Sequence, residues 1–335
     1  MHNFLWPMIR WQDDFEPERF GLSDTNIKPH FFKHPSEVPD QLWSECDAII
    51  GPPVPATYME KLTRCKIYVK PAVGFDEIDL QAWASLGIPV CNTPNYGTRE
   101  VADHALALML TLTKSIAFHD QSLRADPQKN WRPALNPFGQ RLADYTVGIV
   151  GLGRIGTAAA LRLKAFDTKV LFYDPFKPNG ADLALGIGRV DSLELLFNQC
   201  DIITLHLPLN SGTEKLINRS ILEQAKPGLI LINTARGPII DIDALYEAMM
   251  ANQVLAAGLD VLPEEPANSE KPLIKAWQED ADWIKHRLLI TPHSAFFTPQ
   301  SMFDIRSFSA QTAAKYITTG RLENCVNDDL LTFRR

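Results

Sequence analysis

The chain has 335 residues, 45% hydrophobic and 22% charged, a balance typical of a soluble globular protein that excludes disorder and a collagen-like repeat, and its length predicts two domains. With 33 Lys and Arg against 40 Asp and Glu, the formal charge is −7. That offers no electrostatic footprint to a nucleic-acid backbone or an anionic membrane, so neither is expected as a partner.

Residues 1–11 lack the basic stretch, apolar core and small-residue cleavage site of a secretory signal. The five cysteines, at 46, 65, 91, 200 and 325, include no C-x-x-C pair. They read as reduced thiols, neither a disulfide frame nor a zinc site, and no metal is expected. The longest apolar stretch, 101–118, is interrupted by Asp103, His104 and Lys114, short of the roughly 18–20 clean residues of a membrane span. A cytoplasmic protein is predicted.

Along the chain, β-rich runs at 47–51, 66–70 and 88–94 alternate with helical patterns at 56–65 and 75–87, the signature of βα units on a parallel sheet. Residues 99–124 read as one long helix, with Ala102, Leu106, Met109 and Leu110 among its apolar positions. From 145 a second βα series predicts six strands, at 146–151, 169–173, 201–208, 229–234, 255–261 and 288–293. Segments 125–140 and 263–287 read as surface excursions. A last helix over 299–320 offers Ile305, Phe308, Ala313 and Ile317 as core contacts and is expected to return to the first domain.

Gly151, Gly153 and Gly156 follow the apolar run 147–150 and open a helical stretch. Glycines at this spacing permit a tight turn, close approach of backbone to a pyrophosphate, and close packing of helix on strand, while the helix N-terminus supplies unpaired N–H groups to the anion. Asp174 ends the next strand, where it can accept from both ribose hydroxyls and repel a 2′-phosphate. The combination predicts a dinucleotide site that takes NAD rather than NADP. Lys177 is the nearest base in sequence, with Pro175 and Pro178 restraining the chain between. The fold class is therefore predicted as α/β, with two doubly wound parallel-sheet domains. A flavodoxin-like substrate domain is discontinuous, 1–98 plus 295–335, and a Rossmann NAD-binding domain spans 99–294. Two crossings between them make a hinge.

Arg236, Glu265 and His293 each follow a strand of the second series, so all three are expected at the carboxyl edge of one sheet, where ligands of open α/β folds bind. Hydride transfer to a carbonyl carbon needs a proton delivered to its oxygen, and histidine is suited to that at neutral pH. A neighbouring carboxylate, Glu265, would favour the imidazolium and fix its tautomer. An Arg fork suits a substrate carboxylate. His206 is expected to shape the cofactor pocket and His104 to be an interdomain or packing residue.

With the segment 73–76, the glycine turn, Asp174, and the segments 205–213, 233–237, 258–266 and 291–295 in this order, nearly the whole chain resembles the D-isomer-specific 2-hydroxyacid dehydrogenase family. The resemblance implies that Arg236 binds and polarises the substrate, Glu265 supports the histidine, and His293 is the acid or base, in contact with both cofactor and substrate. It further implies that Arg154 and Ile155 touch the pyrophosphate, that Pro208 and Thr213 line the adenosine side, and that Thr234, Ala235 and Arg236 with Asp260 hold the nicotinamide. The substrate carboxylate would also meet the backbone N–H groups of Val73 and Gly74. Residues 90–103 and 291–301 are most similar to the C-terminal-binding-protein branch, with Phe296 where that branch usually has Trp, and 28 positions separate Glu265 from His293, more than shorter members use.

The expected function is thus an NAD-dependent oxidoreductase interconverting a small 2-hydroxy acid and its 2-oxo acid. The alternative is an NAD(H)-sensing corepressor-like interaction protein with vestigial dehydrogenase activity. The apolar helix from Arg99 suggests a homodimer through the cofactor domain. Phe296, Phe297, Trp6, Pro52 and Pro53 suggest an apolar substrate pocket, with Lys70 and Arg99 the cations available to a phosphate.

Overall fold

A computed structural model describes residues 1–9, 11, 13–23, 25–133 and 139–335. The chain begins with β1 (His2–Trp6), α1 (Glu16–Gly21), β2 (Ile27–Phe31), α2 (Asp40–Glu45), β3 (Ala48–Ile50), α3 (Ala56–Met59), β4 (Ile67–Lys70), α4 (Leu80–Ser85) and β5 (Val90–Asn92). All pairings are parallel, in the order β2-β1-β3-β4-β5, which is flavodoxin-like. Strands covered on both faces are apolar at every position, as in β3 and the Ile67–Val69 stretch of β4. One face packs Leu5, Ile49, Tyr68 and Val90 against Trp43 and Trp83. Trp6 is 2% exposed and packs on the ring of Phe31. It belongs to the core rather than to a substrate pocket, because the last residue of β1 is still covered from one side.

The second stretch runs α5 (Thr98–Thr113), α6 (Ile116–Ala125), β6 (Thr146–Val150), α7 (Arg154–Ala165), β7 (Lys169–Tyr173), α8 (Ala181–Leu185), β8 (Gly188–Arg189), α9 (Leu193–Gln199), β9 (Ile202–Leu205), α10 (Arg219–Glu223), β10 (Leu229–Asn233), α11 (Ile242–Met250), β11 (Val254–Leu259), α12 (Pro272–Gln278) and β12 (Leu288–Ile290). Its seven parallel strands take the order β12-β11-β10-β9-β6-β7-β8. The direction of winding reverses between β6 and β9, the switch point where open sheets of this kind bind ligands.

Three features differ from the sequence expectation. The helix over 99–124 is two helices bent by 55°. Thr113 Oγ1 donates back to the carbonyl of Met109 and Ser115 takes a left-handed φ of 54°, while burial ends there, since α6 has no buried residue. The seventh strand, β8, is two residues long and begins with Gly, so it leaves no alternating pattern to read. The excursion 263–287 is not confined to the surface, because α12 buries Leu273 and Ile274 against the sheet's core and Trp283 stands edge-on to Tyr246. Of the other excursion, 125–140, residues 134–138 lie outside the described residues.

The chain ends with α13 (Pro299–Thr319), opened by a Thr298–Ser301 capping box and closed by Gly320 at φ 72°. Ala310, Ala313 and Ala314 cover the second face of the first sheet, against Phe4, Ile50, Ile67 and Val69. Ile305 and Ala313 are buried, whereas Phe308 and Ile317 are only half-buried. Helix α1 lies close against it at Gly21, whose absent side chain leaves room for the Ser307 carbonyl, 2.4 Å from where a Cβ would stand. Arg306, also on α13, is buried with its guanidinium bonded to both Glu18 and Asp13 and stacked by Trp11. Two compact units result, 1–97 with 297–335, and 98–296. No helix among the described residues is long and apolar enough to cross a membrane by itself.

Candidate active site

The glycine turn joins β6 to α7 in the second unit. Gly151 has φ 88°, and a Cβ on it would stand 2.6 Å from the carbonyl oxygen of His206. A Cβ on Gly156 would stand 2.1 Å from the carbonyl oxygen of Gly151, so α7 can lie this close to the turn only without a side chain. Gly153 is the opposite case, exposed and with nothing within 4 Å of its missing Cβ. That open side, the first turn of a 12-residue helix beginning at Arg154, and two enclosed polar atoms without a partner, His206 Nδ1 and Thr234 Oγ1, fit a dinucleotide phosphate and its neighbouring groups. Arg154 is exposed and Ile155 half-buried beside the turn.

Asp174 ends β7 beside the glycines. One carboxylate oxygen accepts from the N–H of Leu152 at 2.8 Å and the other from the N–H of Phe176 at 3.0 Å. The same carboxylate therefore braces the turn and retains lone pairs for ribose hydroxyls. A basic neighbour in the fold is Arg189 of β8, fifteen residues on and without a local signal in the sequence. The Arg189 guanidinium donates to the carbonyls of Asp174, Lys177 and Pro178 and lies over Phe172. These bonds already occupy it.

The β9 and β10 ends hold the next group. His206 Nε2 bonds to Thr204 Oγ1 at 3.0 Å, and burial pushes the imidazole down to about 4, so the ring is neutral. Pro208 and Thr213 close a turn on each other, Thr213 Oγ1 donating to the Pro208 carbonyl at 2.7 Å. In the turn after β10 the wholly buried Asn233 accepts from Ala235 N–H and donates to the Arg236 carbonyl, both at 2.9 Å. Gly237 then lies flat against the backbone of Leu262, where a Cβ would overlap it at 1.9 Å. That contact joins the loop carrying Arg236 to the loop carrying Glu265.

Glu265 Oε1 accepts from Leu262 N–H at 3.0 Å and Oε2 accepts from His293 Nδ1 at 2.7 Å. An ionised carboxylate only accepts, so Nδ1 carries the hydrogen and Nε2 is left to exchange a proton. Burial resists the charge on Glu265, but the bonds from His293 and Leu262, and the charges of His293 and Arg236, outweigh it and hold the carboxyl below its usual range. His293 itself has a left-handed φ of 52°. Asp260, 1% exposed, imposes that conformation. Its carbonyl accepts from His293 N–H at 2.8 Å, and its carboxylate accepts from Ser294 N–H, Ala295 N–H and Thr291 Oγ1. Since Thr291 donates there, it accepts from His104 Nε2 at 3.0 Å. His104 is therefore part of the scaffold under the histidine loop, a role that no local pattern indicates.

The family model described as "D-isomer specific 2-hydroxyacid dehydrogenase, NAD binding domain" matches residues 106–295. The glyoxylate reductase of Korarchaeum cryptofilum is 32% identical over 297 residues, 87% of this chain and 80% of its own. The chain belongs to the D-isomer specific 2-hydroxyacid dehydrogenase family. Among solved structures, the D-lactate dehydrogenase of Aquifex aeolicus in complex with NAD and lactic acid matches with a TM-score of 0.75 at 29% identity, over 94% of this chain and 95% of that one. The NADPH-dependent glyoxylate/hydroxypyruvate reductase of Sinorhizobium meliloti matches with a TM-score of 0.83 at 25% identity over the whole of both chains. This dehydrogenase is an NAD-dependent oxidoreductase that interconverts a small 2-hydroxy acid and its 2-oxo acid.

Arg236, Glu265 and His293 of the dehydrogenase are thus carried by adjacent loops of one sheet. Two residues set the geometry, Asn233 under Arg236 and Asp260 under His293; the resemblance implies a nicotinamide contact for Asp260, whose carboxylate is bonded to Thr291, Ser294 and Ala295. In the first unit, Val73 and Gly74 follow β4, and the Val73 carbonyl accepts from Asn92 Nδ2 at 2.7 Å. Lys70 is buried and bonded to Glu77, so it is not a cation held ready for a phosphate.

Proposed function

We propose that the dehydrogenase reduces its 2-oxo acid with His293 as the proton donor, Glu265 as its orienting carboxylate and Arg236 as the substrate anchor. The observation that carries this is the 2.7 Å bond from His293 Nδ1 to Glu265, which directs the transferable proton to Nε2. NADH, when bound, supplies the hydride. His293 Nε2 gives its proton to the carbonyl oxygen, and the Arg236 guanidinium holds the carboxylate and opposes the charge developing on that oxygen. Gly151, Gly153, Arg154, Ile155 and Gly156 hold the pyrophosphate, Asp174 the ribose, and His206, Pro208, Thr213, Thr234, Ala235 and Asp260 line the remainder. Val73 and Gly74 are assigned to the substrate carboxylate. Residues 1–98 with 295–335 form the substrate domain and 99–294 the NAD domain, a division supported by the family match at 106–295. Phe296, edge-on to His293 at 6.3 Å, favours apolar side chains on the substrate.

Residues 90–103 and 291–301 support placement near the C-terminal-binding-protein branch, whereas the relatives named for reductase and dehydrogenase activity favour turnover over a corepressor-like role. A cytoplasmic homodimer is part of the same reading. The test is NADH oxidation with a panel of 2-oxo acids. In His293→Ala, kcat is expected to fall by roughly 10² to 10⁴ while NADH binding is retained. Turnover near that of the unaltered protein would remove His293 from the mechanism.

A further inference from the structure

The C-terminal segment after α13 lies along β5, the edge strand of the first sheet, and pairs with it antiparallel. Asn92 N–H donates to the Asn324 carbonyl at 3.1 Å and Val326 N–H to the Val90 carbonyl at 2.8 Å. These two bonds flank Cys91 and Cys325, which makes the cysteines a non-hydrogen-bonded antiparallel pair. At such positions the Cα atoms approach to about 4.5 Å and the side chains stand side by side, inside the roughly 4.4–6.8 Å that a disulfide spans. Cys325 Sγ donates to Asn327 Oδ1 at 3.3 Å, which holds the thiol beside Cys91. Cys91 is fully buried, whereas Cys325 reaches the surface.

We propose that Cys91 and Cys325 are a thiol–disulfide exchange site that takes a low-molecular-weight disulfide and closes a reversible bond between β5 and the C-terminal segment. The Cys325 thiolate attacks one sulfur of the external disulfide, giving a mixed disulfide and expelling one thiolate. The buried Cys91 thiol surrenders its proton to that leaving thiolate and attacks Cys325 Sγ, expelling the second. Two protein thiols are oxidised by two electrons and one external disulfide is reduced to two thiols. Cys325 is the partly exposed member of the pair and the neighbouring Cys91 lowers it toward its thiolate, while Cys91 is buried and raised, which makes Cys325 the first to react. Cys46 and Cys65 are also neighbours, yet both are fully buried, each thiol donates to a backbone carbonyl (Trp43 and Ile67), and Cys46 is raised, so they form an internal control without access.

The bond would secure a clasp that is otherwise non-covalent. Asn327 accepts from Val90 N–H and donates to the Ile88 carbonyl, Phe333 covers Gly87, and Arg335 N–H donates to the Gly87 carbonyl. The test is incubation of the full chain with oxidised glutathione at neutral pH, followed by thiol titration in denaturant and non-reducing peptide mapping. Free thiols are expected to fall from five to three, with the Cys91 and Cys325 peptides joined. Amide exchange at Val326 should slow at least tenfold, and dithiothreitol should reverse both changes. Cys91→Ser should leave Cys325 carrying glutathione, and Cys325→Ser should leave Cys91 reduced. Five persisting thiols, a stable glutathione adduct beside reduced Cys91 in the unaltered chain, or a Cys46–Cys65 cross-link would overturn the proposal.

Discussion

At the scale of single residues, Asp174 has two tasks that substitution can separate. Its carboxylate braces Leu152 in the glycine turn and is proposed to accept from the ribose while repelling a 2′-phosphate. Asp174→Asn keeps an acceptor for the turn and removes the charge, so the preference for NAD over NADP is expected to drop at least about tenfold, the order of one charge-assisted hydrogen bond, with little change in Tm. Steady-state kcat/KM with the two cofactors measures it, and an unchanged ratio would count against this placement. His206 makes a different prediction, about pH. Its imidazole is held neutral, pushed from an ordinary 6.5 down to about 4. The unfolded chain therefore binds a proton between those values that the folded chain refuses, and stability falls as pH drops through that window. Between pH 7 and pH 5 the loss is about 2 kcal/mol as an upper bound. Urea unfolding of the cofactor-free protein at the two pH values should show it, and His206→Asn should remove that share.

At the scale of elements, the three glycines of one turn have different reasons for being glycine. Gly153 meets nothing within 4 Å, whereas Gly156 abuts the carbonyl of Gly151 at 2.1 Å from a would-be Cβ. Gly153→Ala is therefore expected to leave Tm unchanged and weaken NADH binding at least about tenfold, by obstructing a pyrophosphate. Gly156→Ala should lower stability by roughly 1–3 kcal/mol, because backbone rather than a movable side chain stands in the way. Calorimetry with NADH titration distinguishes the two, and equal Tm losses would refute the assignment of separate tasks. The residue types and their spacing were legible along the chain because turn chemistry is local. The supports under the loops were not, since Asn233 reads as one more polar residue at a strand end, and Asp260 lies more than thirty positions from the N–H groups of Ser294 and Ala295 that it holds. Arg189 carries no local signal either, because a two-residue strand places it beside Asp174 without any periodic pattern.

At the scale of the whole molecule, the apolar character of α5 is accounted for within its own unit. Val101, Ala102, Ala105, Leu106, Leu108, Met109 and Leu112 are all buried, against β10, β11 and α7. The dimer proposal therefore turns to residues beyond α5, where Ile116 is 56% and Trp131 79% exposed. Apolar side chains mark an association surface where they form a contiguous patch, which is what the Trp131 substitution tests. Light scattering at micromolar concentration is expected to give a dimer and Trp131→Glu a monomer, and a monomeric unaltered protein would contradict this. By itself the sequence determined the alternation of strands and helices, the NAD turn and the three strand-end residues Arg236, Glu265 and His293, because periodicity, glycine spacing and turn chemistry are written within a few neighbouring residues. Only the tertiary structure decided that Trp6 is core, that α5 and α6 are separate helices, that Asp260 and His104 hold the His293 loop, and that Cys91 faces Cys325 across 234 positions, because each depends on which distant backbone happens to pack alongside.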